Sequence, residues 1–511
     1  MLLVYAGLIG VTVWQFNRAP TGFIPPQDEG YLITIVQLPP GSSLARTDEV
    51  VKHATQIMLE TPGIINTAGF TGLDGATFTN ASNAAAIFSV LAPYDERVKK
   101  GLSAGRILGD LSQRLGAIEE GFIVTVPPPP VRGIGNAGGF KMMIQDRGGQ
   151  GLKALEEAAT QIMIAGNQTA GLSAVFTLFN TKTPKLYAEI DRVRAQMFHV
   201  PAERVFATLE VYLGSTFIND FNFLNRTYRV TAQAMGEFRQ DPASIANFKT
   251  RNDLGEMVPI GAVAKIKDVS GAYRVARYNL FPAAEVQGNV APGTSTGTAL
   301  AAMENLANQS LTEGFGYEWT ELAYQQKLAG NTGLFVFGAA VLFVFLVLAA
   351  QYESWSLPLS VILIVPMCLL AAVTGLLMRG LDVNVLSQVG FVVLVGLAAK
   401  NAILIVEFAK QAEEEGKNPT EAAVRAAGTR LRPILMTSFA FILGVVPLVI
   451  ASGAGAEMRI AMGTAVFAGM IGVTFFGLIF TPVFYVVVRR VAIWLRGHRP
   501  GHSTPAPKSA E

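Results

Sequence analysis

Cysteine is all but absent from this chain. Cys368 is the only one among 511 residues, so there is no intrachain disulfide framework. Histidine is scarce too: His53, His199, His498 and His502 are scattered and share no ligand spacing, which gives no ground for a metal site. Charge is thin. Charged residues make up 15% of the chain, against about a quarter in typical soluble domains. The formal net charge is +2, so there is no basic footprint for a nucleic-acid partner. A nucleophile–base pair, a phosphate loop and a metal motif are all missing, so the expectation is a protein that is not an enzyme and uses no cofactor.

Apolar residues are abundant and unevenly spread. They gather at the extreme N-terminus and after about residue 330, while the stretch between has an ordinary soluble balance. A membrane span needs roughly twenty apolar residues. Five stretches meet this: 333–351, 356–378, 384–408, 433–452 and 461–488. A sixth, Leu2–Phe16, is too short. It lacks a basic n-region and a small-residue cleavage site, and Arg18 stands on the wrong side for a signal peptide, so it reads as a truncated transmembrane helix.

Basic residues of the short loops set the orientation. Lys410, Lys417, Arg425, Arg430 and Arg432 flank one loop, and Arg489, Arg490, Arg496 and Arg499 open the tail. Only Arg379 and Arg459 occupy loops on the opposite side. The 409–432 loop and the C-terminus are therefore expected in the cytoplasm, and the large region 17–330 in the periplasm.

That region alternates strand and helix patterns. Tyr31–Leu38 reads as a strand and Ser43–Leu59 as an amphipathic helix. Strands near 64–70 and 85–91, a helix near 103–118 and a strand at Phe122–Val126 complete a βαββαβ order, a split βαβ unit. Pro127–Pro130 makes a stiff connector. The order then restarts: a strand at Phe140–Gln145, a helix at 151–166, strands at 173–178 and 185–190, and a helix at 201–213. Its last strand is delayed to 284–290 by an insertion of mixed pattern. A helix at 297–309 and a strand at 315–320 lead into the first long span. The expected fold is an α+β membrane protein: a helix bundle with two related split-βαβ subdomains and a third subdomain inserted into the second.

One residue carries the chemistry. Lys400 lies well inside the span VLVGLAAKNAILIVEF, where an unpaired ammonium costs a few kcal/mol or more. The other spans offer no carboxylate. Glu407 is closest, but it is seven residues on, about two helical turns away. The counter-charge must come from outside this chain. A membrane lysine facing carboxylates on another helix senses their protonation: ionised, they hold the ammonium, and protonated, they release it. Thr437 and Ser438 in the next span offer hydroxyls to such a network. The plainer reading is that Lys400 pins two helices together, and for Arg430 and Arg432 it is that they mark the cytoplasmic side.

The stretches GLAAKNAILIVEFAK and TRLRPILMTSFAFILGVVPL resemble the membrane half of resistance-nodulation-division (RND) exporters of the hydrophobe/amphiphile branch. QYESWSLPLSV, GFIPPQDEGYLITIVQLPPGSS and TPVFYVVVRR extend the similarity over essentially the whole chain before Gly497. PPPPVRGIGNAGGFK resembles one subgroup of the branch. The resemblance implies twelve spans in two repeated halves, of which this chain looks like the second. On that reading residues 1–17 are the truncated helix, and 18–130 the first porter subdomain. Residues 131–213 and 283–330 are the second porter subdomain, with a docking subdomain inserted at 214–282. The five-helix transmembrane part is 331–490 and the cytoplasmic tail 491–511.

By the same resemblance, Lys400, Thr437 and Arg430 match the family's proton relay, whose acidic pair belongs to a span absent here. Gln37, Phe70, Phe78, Phe88, Phe140 and Met142 match positions of its drug cleft, although each aromatic taken by residue type alone is more often core. The Phe70–Phe88 segment looks like the family's switch loop, and Phe176 stands where some members carry a polar pocket residue. The implied activity is export of hydrophobic and amphiphilic drugs from the bacterial inner membrane and periplasm, driven by the proton gradient. The implied assembly is a homotrimer with an N-terminal half, a periplasmic adaptor and an outer-membrane channel. Two alternatives stand beside it: a non-transporting fragment of such a pump, and a heavy-metal exporter. The second needs converging soft ligands, yet the adjacent Met142 and Met143 would face opposite sides of a strand.

Overall fold

The computed structural model describes residues 1–330 and 332–497. The tail expected from 491 therefore lies outside the described residues beyond 497, as do His498, Arg499 and His502. The chain divides into two compact units, one of Met1–Leu178 with the chain from Arg277 onward, the other of Phe179–Ala276.

In the first unit the opening apolar segment is a helix, Leu2–Arg18. Its 17 residues rise about 26 Å, short of the roughly 30 Å hydrocarbon core. It nevertheless packs among the long helices, with Tyr5 edge-on to Phe484. Five helical segments among the described residues are long and apolar enough to cross a membrane. They are Thr332–Tyr352, Ser356–Ile362 continued by Val365–Met378, Val385–Glu414, Pro419–Val449 and Ala456–Gly497.

The bundle shows how such helices meet without a hydrophobic drive between them: small residues let backbones approach. A methyl group at Gly469 would overlap Leu394, and one at Gly472 would overlap Ala371. The break between Ile362 and Val365 sits just before Pro366, which has no N–H to donate and disfavours helix before it. The carbonyl of Leu363 at this break accepts from the Tyr5 hydroxyl at 2.6 Å. Arg379 in turn donates to the carbonyl of Val449, at the end of Pro419–Val449, at 3.0 Å.

The segment between these helices holds two sheets. In the first, all neighbours are antiparallel and the strand order is Ile64–Asp74, Thr79–Leu91, Tyr31–Gln37, Phe122–Val126. The helices Leu44–Leu59 and Ala104–Leu115 cover one face. Leu32 and Val36 point into that core with Val50, Met58, Ile107 and Leu111. Ser43 and Ser103 start the two helices, each accepting a backbone N–H three residues on.

Between the first helix and this sheet, Asp28 is a tie point. Arg97, 2% exposed, donates to the Asp28 carboxylate at 2.5 Å and to the carbonyls of Ala92 and Leu102. The Asp28 carbonyl accepts from the N–H of Gly455, one residue before the last long helix.

In the second sheet Phe281–Val290 pairs with Phe140–Asp146 on one side and Leu172–Phe176 on the other, and Phe315–Trp319 adds to the far edge of Phe140–Asp146. Every residue of Phe140–Asp146 is buried, including Lys141. Its ammonium lies 3.3 Å from Glu285 and 3.0 Å from Glu321. Burial alone would lower the Lys141 pKa, but the two carboxylates outweigh it and hold the value above the ordinary lysine range.

The second unit differs from the expected strand plan. The strand expected at 185–190 is Thr183–Ile190, and it pairs with Ala264–Gly271 inside this unit rather than with the second sheet. The reason lies in where its apolar end finds a core: Ile190 packs with Ile266 against the core of this unit, while residues 184–187 are exposed and Glu189 pairs with Lys267 across the ladder. The helix expected at 201–213 is α-helical over Ala202–Leu209 and finishes as a π turn, Glu210–Gly214. Beyond it Thr216–Phe223 and Arg226–Ala232 form a hairpin closed by Leu224 and Asn225, both at positive φ, as a type I′ turn requires.

Two outcomes follow. Asp28→Ala strands the Arg97 guanidinium in the interior and is expected to cost about 3–5 kcal/mol, read as lost unfolding free energy of the detergent-solubilised protein. For Lys141 the folded pKa is raised. Its contribution is therefore complete below the ordinary lysine pKa and is lost as pH rises through the folded value. Lys141→Met is expected to lower stability at neutral pH by about 3 kcal/mol and to remove that alkaline loss, while acid that protonates Glu285 and Glu321 restores the variant.

Candidate functional site

The membrane candidate lies on the pair Val385–Glu414 and Pro419–Val449. Asn384 starts the first of these helices with a capping box, and Asn418 caps the second. On Val385–Glu414 the residues Val389, Val393, Gly396 and Lys400 recur every three or four positions and are all exposed, so they form one stripe. The opposite side of the helix, with Leu394, Ala398 and Ile405, is buried in the bundle. Lys400 thus stands mid-helix on an apolar face that the described residues leave uncovered. Among the described residues no carboxylate forms an ion pair with it. Its ammonium lies 4.6 Å from the centroid of the Phe441 ring on the partner helix, within cation–π range.

Beside it, buried Asn401 donates to the Ser438 hydroxyl at 3.0 Å, joining the two helices. Thr437, half-buried, donates to its own helix at the Ile434 carbonyl. Arg430 lays its guanidinium over Phe408, 3.3 Å from the ring centroid, with its Nε buried and unbonded. Lys400, Thr437 and Arg430 are therefore on one helix pair but not in one hydrogen-bond network. Sequence reading missed Phe441 and Phe408. The available signal was spacing, since Phe441 follows Thr437 by one helical turn.

The second candidate is the face of the first sheet turned away from its helices. The register places Ile33 opposite Phe88, Ile35 opposite Ala86, Phe70 opposite Ala86, and Gln37 opposite Ala84 and Phe122. Alternation then brings Gln37, Phe70, Phe88 and Phe122 to this single face. Phe70 and Phe88 meet edge to face at 5.7 Å, and Phe122 reaches Phe176 of the second sheet at 5.5 Å. Phe78 sits in the turn after Asp74 at φ 53°, in the left-handed region, with its ring exposed.

Phe70 is 51% exposed, whereas Phe140 is 5% and Met142 0% exposed. Phe140 packs on Gly288 and edge-on to Trp319, so these two cleft candidates lie within the second sheet's core. Gln37, Phe70, Phe78 and Phe88 keep surface for a ligand, and Phe122, missed as a lining residue, joins them.

The AcrB/AcrD/AcrF family model matches residues 1–489. The chain is 40% identical over 488 residues to the multidrug/solvent efflux pump membrane transporter MepB of Pseudomonas putida, covering 95% of this chain and 46% of that protein. It is 39% identical to the multidrug export protein AcrF of Escherichia coli and 37% to the multidrug resistance protein MdtF of the same organism. Each of these two alignments covers 96% of this chain and 47% of the relative. The chain spans about half the length of the curated relatives it matches.

Exposed and buried cleft candidates part in their variants. Met142→Ala is expected to cost about 2–5 kcal/mol of stability by leaving a cavity, seen in a denaturation curve. Phe70→Ala, at an exposed position, is expected to stay within about 1 kcal/mol of the parent in the same measurement.

Proposed function

The chain belongs to the AcrB/AcrD/AcrF family, and on that premise we propose that it is the C-terminal half of a proton-driven exporter of hydrophobic and amphiphilic compounds. The observation that carries the reading is Lys400, a cation in the middle of an apolar, uncovered helix stripe, with its chemistry incomplete in this chain. An N-terminal half packs on the stripe and presents carboxylates to the ammonium. Ionised, they hold it. Protonated from the periplasmic side, they let it go, and the helix pair shifts. Thr437 supplies a hydroxyl once it leaves the Ile434 carbonyl, and Arg430 supplies positive charge near the cytoplasmic end.

In this reading the bundle has six spans, with Leu2–Arg18 as a short first one, in the bacterial inner membrane. The two sheets with their helices are the porter subdomains on the periplasmic side. The docking part, expected at 214–282 and falling mostly within the Phe179–Ala276 unit, meets a periplasmic adaptor and an outer-membrane channel in a homotrimer. Drugs pass the face of Gln37, Phe70, Phe78 and Phe88, where apolar rings with one amide suit varied amphiphiles, because desolvation needs little directionality. The proton gradient is the energy source and no cofactor takes part. The names of the relatives, multidrug and solvent efflux pumps, support the substrate class.

The test is drug resistance in a pump-deleted strain expressing the chain alone or with a matching N-terminal half, each with and without Lys400→Ala. Resistance is expected only with both halves and is expected to vanish in the variant. Lys400-dependent resistance from this chain alone would overturn the missing-partner reading. No resistance from either, with both proteins present in the membrane, would identify a non-transporting fragment.

A further inference from the structure

We infer that Phe441 is a positioning residue for the relay lysine: its ring is the seat on which the Lys400 ammonium rests when the carboxylates facing it are protonated. The inference rests on the proton-relay reading of Lys400 and adds where the released cation goes.

A released ammonium cannot simply be left in hydrocarbon, where an uncompensated cation costs several kcal/mol. Something inside the bundle must take it. The charged groups on the elements around Lys400 are poor candidates. On its own helix the nearest is Glu407, about 10 Å along the axis. On Pro419–Val449 the nearest are Arg432 and Arg430, toward the cytoplasmic end and of like charge. Thr332–Tyr352, Ser356–Ile362 and Val365–Met378 carry no charged residue. The charges of Ala456–Gly497 sit at its two ends: Glu457 and Arg459 at one, Arg489, Arg490 and Arg496 at the other.

What faces the ammonium instead is the π face of Phe441, 4.6 Å away. A desolvated cation over an aromatic ring gains more than the same pair in water. The neighbouring Asn401–Ser438 bond is buried and ties the same two helices one residue along from Lys400. It fixes the register that keeps Phe441 opposite the lysine. Phe441 itself is partly exposed on the uncovered side, so the seat lies at the edge where the partner's carboxylates would arrive, and a rotamer change suffices to pass between them.

The sign follows from the cycle. Whatever stabilises the released lysine favours protonation of the carboxylates, so uptake occurs at higher pH. Removing the ring's quadrupole makes release harder, and protonation then needs more acid. The experiment measures efflux against external pH in cells or vesicles carrying this chain with its N-terminal half, comparing the parent with Phe441→Leu, Phe441→Trp and a trifluorinated phenylalanine at 441. Phe441→Leu and the fluorinated ring, which keeps the shape, are expected to move the acid midpoint down by about one pH unit. Phe441→Trp is expected to hold it. A midpoint unchanged in the fluorinated variant, or moved equally by Trp and Leu, overturns the inference. Lys400→Ala is run alongside: efflux that survives it refutes the relay reading itself, while efflux lost there with no shift at 441 refutes only the seat.

Discussion

Hydrocarbon supplies no hydrogen-bond partners, and the helical part of this molecule is organised by that single lack. Each interruption of a helix frees backbone groups that must be met from within the protein. The break before Pro366 exposes the Leu363 carbonyl, and the Tyr5 hydroxyl meets it. Pro419–Val449 ends at Val449, and Arg379 meets that carbonyl. The short first helix is tied to the bundle by one of these bonds, so satisfying the backbone and packing the spans are the same event. Between Val385–Glu414 and Pro419–Val449, buried Asn401 donates to the Ser438 hydroxyl. Lys400 rests on an aromatic ring, and among the described residues no carboxylate pairs with it; the proposed partner half follows from that imbalance.

In the two sheets the governing constraint is the two-residue alternation of strands. One face of the first sheet meets two helices and forms an aliphatic core; the other carries phenylalanines and a glutamine. On that second face Ala84 lies opposite Gln37, and Ala86 lies opposite Phe70 and Ile35. Buried charges are placed where they join elements distant in sequence. Lys141 holds Glu285 and Glu321. Arg97 holds Asp28, whose backbone also meets the loop entering the last long helix.

Much of this was legible in the residues, and the misses share a cause. The long spans and the βαββαβ order of the first sheet depend on the local pattern. Thr183–Ile190 was legible as a strand, yet its neighbour was not, because pairing with Ala264–Gly271 is settled by a partner some eighty residues away. Phe140 and Met142 look like Phe70 in composition. Their burial comes from strands and helices on both sides of Phe140–Asp146, which no local window contains.

By itself the sequence determined which segments are apolar enough to cross a membrane and which of them carries a lysine near its middle. These follow from transfer free energy and charge, which add along a chain without reference to its folding. Only the tertiary structure decided which way each side chain faces. The Asn401–Ser438 bond and the helix-pair register set Lys400 over Phe441, and the pairing of Ile33 with Phe88 set the aromatic face. Facing depends on the register between separate elements, and a shift of one residue would turn every one of these side chains elsewhere.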